Sequence, residues 1–440
     1  MEINKCNNKS KNYIDFISWT VIFTFFFLLT LYKHNQIPEN TFRSEIWADR
    51  AGYYIYLPYT FIYNFTSNKL SNTIISETGN GFSIKENKVI TKYTYGIALL
   101  QMPFFLIADL ITYLSGAKRD GFSQYYKYSI DFASTFYLVF GLLFLYKMLY
   151  IYTNFNKLII STSLCTLFIG TNLFYYSIIE TGMSHVYSFF LFSTLLYLTI
   201  TNTIKTKHLK LVLICIIISL IILIRPLNAI ILIIPFIIKK WESTKIITRL
   251  HFIKIVRFIS ISCLIFLSIL FPQLLYWKYT FGKYFIYSYQ NEGFANLLSP
   301  YLLEVIFSPK NGLLPYSLIF IGMIAGLIIL YSKNKLFCHY IIFTILLLIY
   351  LTASWHDWSF GCGLGMRNMV EYYSLLSIPL CYTMNFIFTI KSKIIKILLI
   401  KFILLLTLIN LKINYHYYGC YFLDTWIWTD YFKTLFYPLK

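Results

Sequence analysis

Runs of about 20 apolar residues recur along nearly the whole of this 440-residue chain, and they constrain its fold more than any other feature. Most are long enough for a helix to cross a bilayer, where the backbone has to satisfy its own hydrogen bonds, while 209–238 is broken by Arg225-Pro226 into two short helices that meet at the outer side. The clear runs lie at 13–32, 128–150, 158–178, 184–203, 209–224, 226–238, 253–275, 313–331, 336–354, 370–390 and 394–412. They predict an all-α polytopic membrane protein with about eleven transmembrane helices and no separate soluble domain. The expected organisation is an integral membrane domain over 1–412, then a short outer tail over 413–440. Within the membrane domain, 33–127 forms a long first outer loop that carries surface helices.

Charge orients this threading. A net charge of +20 would suit nucleic acid if the bases formed one patch, but they sit in short loops between apolar runs. The clusters are Lys205, Lys207 and Lys210; Lys239, Lys240, Lys245, Arg249, Lys254 and Arg257; Lys333 and Lys335; and Lys391, Lys393 and Lys396. That distribution follows the positive-inside rule and places the N-terminus inside. The acids other than Glu2, Asp15 and Glu242 then fall outside or near the outer ends of helices. Acidic residues contribute little to orientation, so their sorting points to chemistry on the outer face. Residues 95–114 are long enough to span, but Pro103 and Asp109 interrupt them, and a crossing there would reverse every later loop. They are read as a helix lying on, or dipping into, the outer face. The first run is too long for a signal peptide and lacks a small-residue cleavage site, which predicts a retained helix. Of eight cysteines, only Cys362 and Cys420 fall in outer loops, where a disulfide between them is one option.

Five polar groups gather on the outer face. Glu45, Asp49 and Arg50 stand with Tyr53, Tyr54 and Tyr56 just past the first span. A carboxylate there is costly to keep dry and is a functional candidate by default. Aromatics that limit water can shift the pKa of Asp49 towards that of a general base; a solvated amphipathic helix is the alternative. Lys92 with Tyr93, Thr94 and Tyr95 could hold a phosphate or sugar, or anchor the interface. Glu180 and His185 flank a tight polar turn; His185 is equally a capping or packing residue. Arg225, between two apolar stretches, costs about 2.5–3.5 kcal/mol to insert and needs an anionic partner, either an acid on another helix or a lipid phosphate. Phosphate is favoured, because Pro226 opens a helix whose N-terminus also attracts anions.

The fifth group spans two loops, 276–312 and 355–371. Trp355, His356 and Asp357 lead through three glycines to Arg367, Asn368 and Glu371. Aromatic faces beside acids and amides suit sugar stacking, glycines allow close backbone approach, and Arg367 suits an oxyanion. Aromatic-belt packing is the alternative. No Walker motif, GxGxxG or zinc-ligand spacing occurs in a credible context, which argues against nucleotide-dependent chemistry.

Asp49 to Pro58 reads DxxGYYxYLP and Gly363 to Asn368 reads GxxxRN. With an acid in the first outer loop, a following surface helix, many spans and the Arg225-Pro226 break, the chain resembles the GT-C class of membrane glycosyltransferases. That class includes protein O-mannosyltransferases and lipid A aminoarabinose transferases. The resemblance implies an inverting transfer from a polyprenyl-phosphate sugar to a glycan, lipid or protein acceptor. The work would be done on the outer face of a bacterial cytoplasmic membrane, with no nucleic-acid partner. It implies Asp49 as catalytic base, with Arg225, Arg367 and Lys92 at the donor phosphate. Tyr53, Tyr54, Glu180, His185, Trp355, His356 and Asp357 are then the substrate-binding candidates. Many members carry two adjacent acids in the first loop; here Arg50 follows Asp49, so no cofactor is required, and a divalent metal is possible but unsupported. The alternatives are a glycan polymerase or ligase, which would lean on Arg367 or His356, and a lipid or solute transporter, which would carry ionisable groups at mid-membrane.

Overall fold

The computed structural model describes residues 2–38, 41–201, 204, 206–238, 249–290, 292–416 and 426–437. Lys205, Lys239, Lys240, Glu242, Lys245 and Cys420 lie outside these residues. About 69% of the structure is helical. The helices of the first half are α1 (Glu2–His34), α2 (Asp49–Tyr54), α3 (Tyr56–Phe61), α4 (Asn72–Glu77), α5 (Gly96–Leu114), α6 (Gln124–Thr153), α7 (Lys157–Ile169), α8 (Ser184–Ile200) and α9 (Lys207–Ile224). Those of the second half are α10 (Ile234–Ile237), α11 (Arg249–Phe281), α12 (Leu302–Phe307), α13 (Phe320–Tyr331), α14 (Lys335–Ala353), α15 (Tyr373–Thr389), α16 (Lys393–Tyr415) and α17 (Trp428–Phe436). One antiparallel hairpin, β1 (Ser83–Lys85) with β2 (Lys88–Ile90), sets Ile84 opposite Val89.

Six helices among the described residues are long and apolar enough to cross a membrane: Ile17–His34 of α1, α5, α6, Ile259–Phe281 of α11, α14 and α16. Four shorter apolar helices accompany them. Several of the expected runs are therefore shorter or broken, for local reasons. The 158–178 run stops as a helix at Ile169, before Gly170, and resumes as a π-type turn over Tyr175–Ile179. The 313–331 run becomes helical only at Phe320, after turns that hold Pro309, Gly312 and Pro315. The 226–238 run is a 3-10 stretch (Pro226–Ile233) and the single turn α10. Arg225, before the proline, is extended (φ −148°, ψ 105°), as steric clash with the proline ring requires. The 95–114 segment is one continuous helix through Pro103 and meets the length and composition of a crossing.

Helix starts follow the chain's own capping chemistry. Asn156, Asn334 and Ser392 each accept a backbone N–H in the first turn of α7, α14 and α16, which satisfies a donor that has no partner within the helix.

Contacts divide the chain into two compact units, residues 1–143 with 177–187, and 144–176 with 188–440. In the first, Phe132 of α6 meets Phe23 and Phe27 of α1 edge-on at 5.2 and 5.1 Å. In the second, α13 and α15 approach closely: a Cβ on Gly326 would lie 1.8 Å from the Pro379 carbonyl. Large apolar side chains such as Leu264, Leu267 and Phe271 of α11 and Ile394, Leu398 and Leu405 of α16 remain exposed. Faces of that kind suit lipid rather than water.

Candidate functional site

Asp49 opens α2 and is half-buried. The residue before it, Ala48, holds φ 47° and ψ −119°, a backbone region that costs a non-glycine residue energy and persists only where its surroundings enforce it. Here the enforcement is visible. Ala48 N donates to Thr78 O at 2.9 Å, and a Cβ on Gly81 would fall 2.0 Å from Ala48 O. Gly52, one turn further on, leaves room for the Tyr93 ring, and Thr91 Oγ1 donates to Gly52 O at 2.9 Å. The Tyr53 and Tyr93 rings lie 4.2 Å apart, and Lys92 Nζ sits 5.5 Å from the Tyr93 centroid. The first two sequence groups, around Asp49 and around Lys92, thus share one locality. Both tyrosines that follow Asp49 are buried; Tyr53 donates to Ser184 Oγ at 3.4 Å and Tyr54 to Gly121 O at 2.7 Å. The Tyr54 hydroxyl is thereby engaged by the fold.

The third group arrives beside the first. The turn at Gly182 packs on the Glu45 carbonyl and the Arg50 stem, where a Cβ would meet atoms at 2.6 and 3.0 Å. Arg50 is buried; its Nη2 donates to Phe42 O, its Nε to Trp47 O at 3.4 Å, and its Nη1 lies 4.0 Å from Glu180 Oε1. Arg50 therefore ties the loop ahead of Asp49 to Glu180. His185 is buried as well, at the start of α8.

One constellation here escaped the sequence. His34 at the end of α1, Glu45 and Asp131 of α6 are all buried, and each presents a ligand-type atom within 4.8 Å of the others. His34 Nδ1 is 2.6 Å from Glu45 Oε1 and 3.5 Å from Asp131 Oδ1. His34 Nε2 donates to Ile178 O at 3.1 Å, in the last turn before Glu180, where backbone carbonyls lack helical partners. Thr181 Oγ1 donates to Asp131 Oδ1 at 2.8 Å. Burial opposes the Glu45 charge, yet the hydrogen bond and charge of His34 outweigh it and, with Lys127, hold this carboxyl below its ordinary value. The sequence grouped Glu45 with Asp49 and Arg50 and gave it no role of its own. The available signal was a histidine at the end of one apolar run and an acid inside another, since ionisable groups at such positions are functional candidates.

In the second unit, Arg225 Nη1 donates to Glu371 Oε1 at 3.1 Å, and Asn228 Nδ2 reaches the same oxygen at 3.2 Å. The anionic partner that Arg225 needs is thus an acid from beyond the next loops, where a lipid phosphate had been favoured. The two loops of the fifth group do meet. Asn296 N donates to Ser354 O at 3.0 Å, His356 N to Gly293 O at 2.8 Å, and Asn311 Nδ2 to Ser359 O and Gly361 O at 3.0 and 2.9 Å. Trp355 is half-buried and stacks on Phe360 (6.1 Å, 8°), while Arg367 lies over the same Phe360 ring at 5.3 Å. His356 is exposed, and Asp357 Oδ1 accepts from Ser359 N and Oγ at 3.1 and 2.6 Å, a local turn. The glycines serve packing where ligand approach was expected: a Cβ on Gly363 would meet Tyr176 Oη at 2.7 Å, and one on Gly365 would meet Tyr316 Cβ at 2.6 Å. Cys362 is disulfide-bonded; Cys420, which the sequence offered as one option for its partner, lies outside the described residues.

No protein-family model matches the chain, and no curated protein matches it.

Proposed function

We propose that the chain is an inverting membrane glycosyltransferase that moves a sugar from a polyprenyl-phosphate donor to a hydroxyl acceptor, on the outer face of a bacterial cytoplasmic membrane. The observation that supports this best is Asp49. It is half-buried where the neighbouring Glu45 and Glu180 are buried, it follows directly on a strained Ala48, and Lys92 and Tyr93 belong to the segment packed on its helix. Strained backbone that its neighbours over-determine concentrates at functional sites.

In the proposed reaction Asp49 takes the proton of an acceptor hydroxyl, and the freed oxygen pair attacks the anomeric carbon. The bond from that carbon to the phosphate oxygen breaks, and the lipid phosphate leaves with its electron pair. Lys92 stabilises the departing charge, a contribution that grows where water is scarce. Arg50 and Glu180 hold the loop that presents Asp49. In the second unit, Arg367 with Trp355 and Phe360 is proposed to hold a sugar or anionic group. About eleven crossings, with the loop after α1 outside, remain the proposed topology.

The test is glycan transfer by the Asp49→Asn chain reconstituted with polyprenyl-phosphate sugars, after checking that it inserts and elutes as the parent does. A loss of about 10²–10⁴-fold is expected for a general base; unchanged transfer sinks the assignment. A transporter is the second reading, and one observation favours it, the buried ionisable trio of His34 and Asp131 on two membrane-length helices with Glu45 from the loop after the first. Substrate uptake into vesicles that survives Asp49→Asn and fails with Asp131→Asn would select it.

A further inference from the structure

We propose that His34 Nδ1, a Glu45 carboxylate oxygen and an Asp131 carboxylate oxygen form a binding site for one first-row divalent metal ion, zinc or manganese. The site joins the end of α1, the loop before Asp49 and the second turn of α6, and it stands whether or not the chain transfers sugars.

Three observations converge on it. The first is geometry. Ligands held about 2.0–2.2 Å from a four-coordinate metal sit about 3.3–3.5 Å from one another. The His34–Asp131 separation of 3.5 Å already matches, and the His34–Glu45 contact of 2.6 Å has only to open by under an ångström or so. The second is an unpartnered acceptor. Asp131 is fully buried, its Oδ1 takes the Thr181 hydroxyl, and its Oδ2 accepts no hydrogen bond. Such an atom is costly in a protein interior and calls for a cation or a donor. The third is the orientation of the imidazole. Nε2–H is fixed by the Ile178 carbonyl, so Nδ1 is the nitrogen turned to the two carboxylates. A backbone carbonyl on the far nitrogen and a hydroxyl on the ligating carboxylate are the usual outer partners of a metal ligand set.

Charge agrees. Lys127 lies near Glu45, but among the described residues the cationic neighbour of Asp131 within 4.0 Å is His34, and a single N–H at Nδ1 serves only one of the two carboxylates. A divalent ion neutralises both. On binding, the proton between Nδ1 and Oε1 leaves for solvent as the metal takes its place. One imidazole and two carboxylates suit zinc or manganese better than calcium or magnesium.

The test uses the full chain, purified in detergent, stripped with a chelator and reloaded with Zn(II) or Mn(II). Wild type should retain one metal per chain by plasma mass spectrometry after gel filtration. Asp131→Asn and His34→Gln should retain less than about one tenth of it. Equal retention in wild type and variants, or none in wild type, overturns the site and leaves a buried His34–Glu45 ion pair. Should a variant aggregate, wild type decides alone: bound Mn(II) must show coupling to one imidazole nitrogen in pulsed EPR, and its absence overturns the site.

Discussion

Arg225 Nη1 donates to Glu371 Oε1 at 3.1 Å across 146 positions of sequence, and the acid is the more deeply enclosed partner, its side chain 1% exposed against 19% for the arginine. Removing the cation leaves a buried carboxylate without the charge of Arg225 opposite it, whereas removing the acid leaves an arginine that can turn towards its open side. Arg225→Met is therefore expected to cost about 3–5 kcal/mol and Glu371→Gln distinctly less. Thermal unfolding of the purified chains measures both. Equal, negligible losses would show that the pair carries no weight.

Gly81 and Gly116 provide a matched pair of glycine tests. A Cβ on Gly81 would drive into the Ala48 carbonyl at 2.0 Å, while Gly116 (φ 67°) has open space around it. Gly81→Ala should destabilise by about 3 kcal/mol, the upper end of overpacking costs, because a backbone atom blocks it. Gly116→Ala should cost only the left-handed backbone strain, about 1–2 kcal/mol. If Asp49 depends on the Ala48 geometry, Gly81→Ala also lowers transfer, and Gly116→Ala leaves it alone.

Lys92 is the cation nearest in sequence to the segment that packs on α2. Lys92→Gln is expected to lower the turnover of glycosyl transfer by about 10²–10³-fold, the loss seen when one donor to a developing oxyanion is removed. Steady-state assays at saturating donor read this directly. A raised KM with intact turnover would assign Lys92 to ground-state binding instead.

Thr181 orients Asp131 through its hydroxyl. Thr181→Val conserves shape and deletes that donor, so the affinity for Zn(II) should fall by about 10–100-fold with the stoichiometry kept. Competition against a fluorescent zinc chelator measures the shift.

Reporter fusions after positions 120 and 207 test the threading. The expected signals are outside at 120 and inside at 207. An inside signal at 120 would make α5 a crossing, which its length and composition permit.

Much of the architecture was legible from local pattern. Membrane-length apolar runs gave α1, α6, α11, α14 and α16. Pro226 marked the break after α9. Helix lengths were less legible, because hydropathy does not register that a helix stops before Gly170, or that turns around Pro315 delay the start of α13, inside an apolar run. The meeting of loops 276–312 and 355–371 was anticipated from shared aromatic and charged character. The duties of Gly363 and Gly365 were not, since only the packed structure brings Tyr176 and Tyr316 against them.

The sequence by itself determined that the chain is helical, that its apolar faces seek lipid, and that acids cluster after the first long helix. These follow from helical period and transfer energy, which act over a few turns. Tertiary structure alone decided which charges meet: Arg225 with Glu371, Arg50 with Glu180, and His34 with Glu45 and Asp131. Each of those pairings joins residues brought together by helix packing, and a buried charge takes whichever partner that packing supplies.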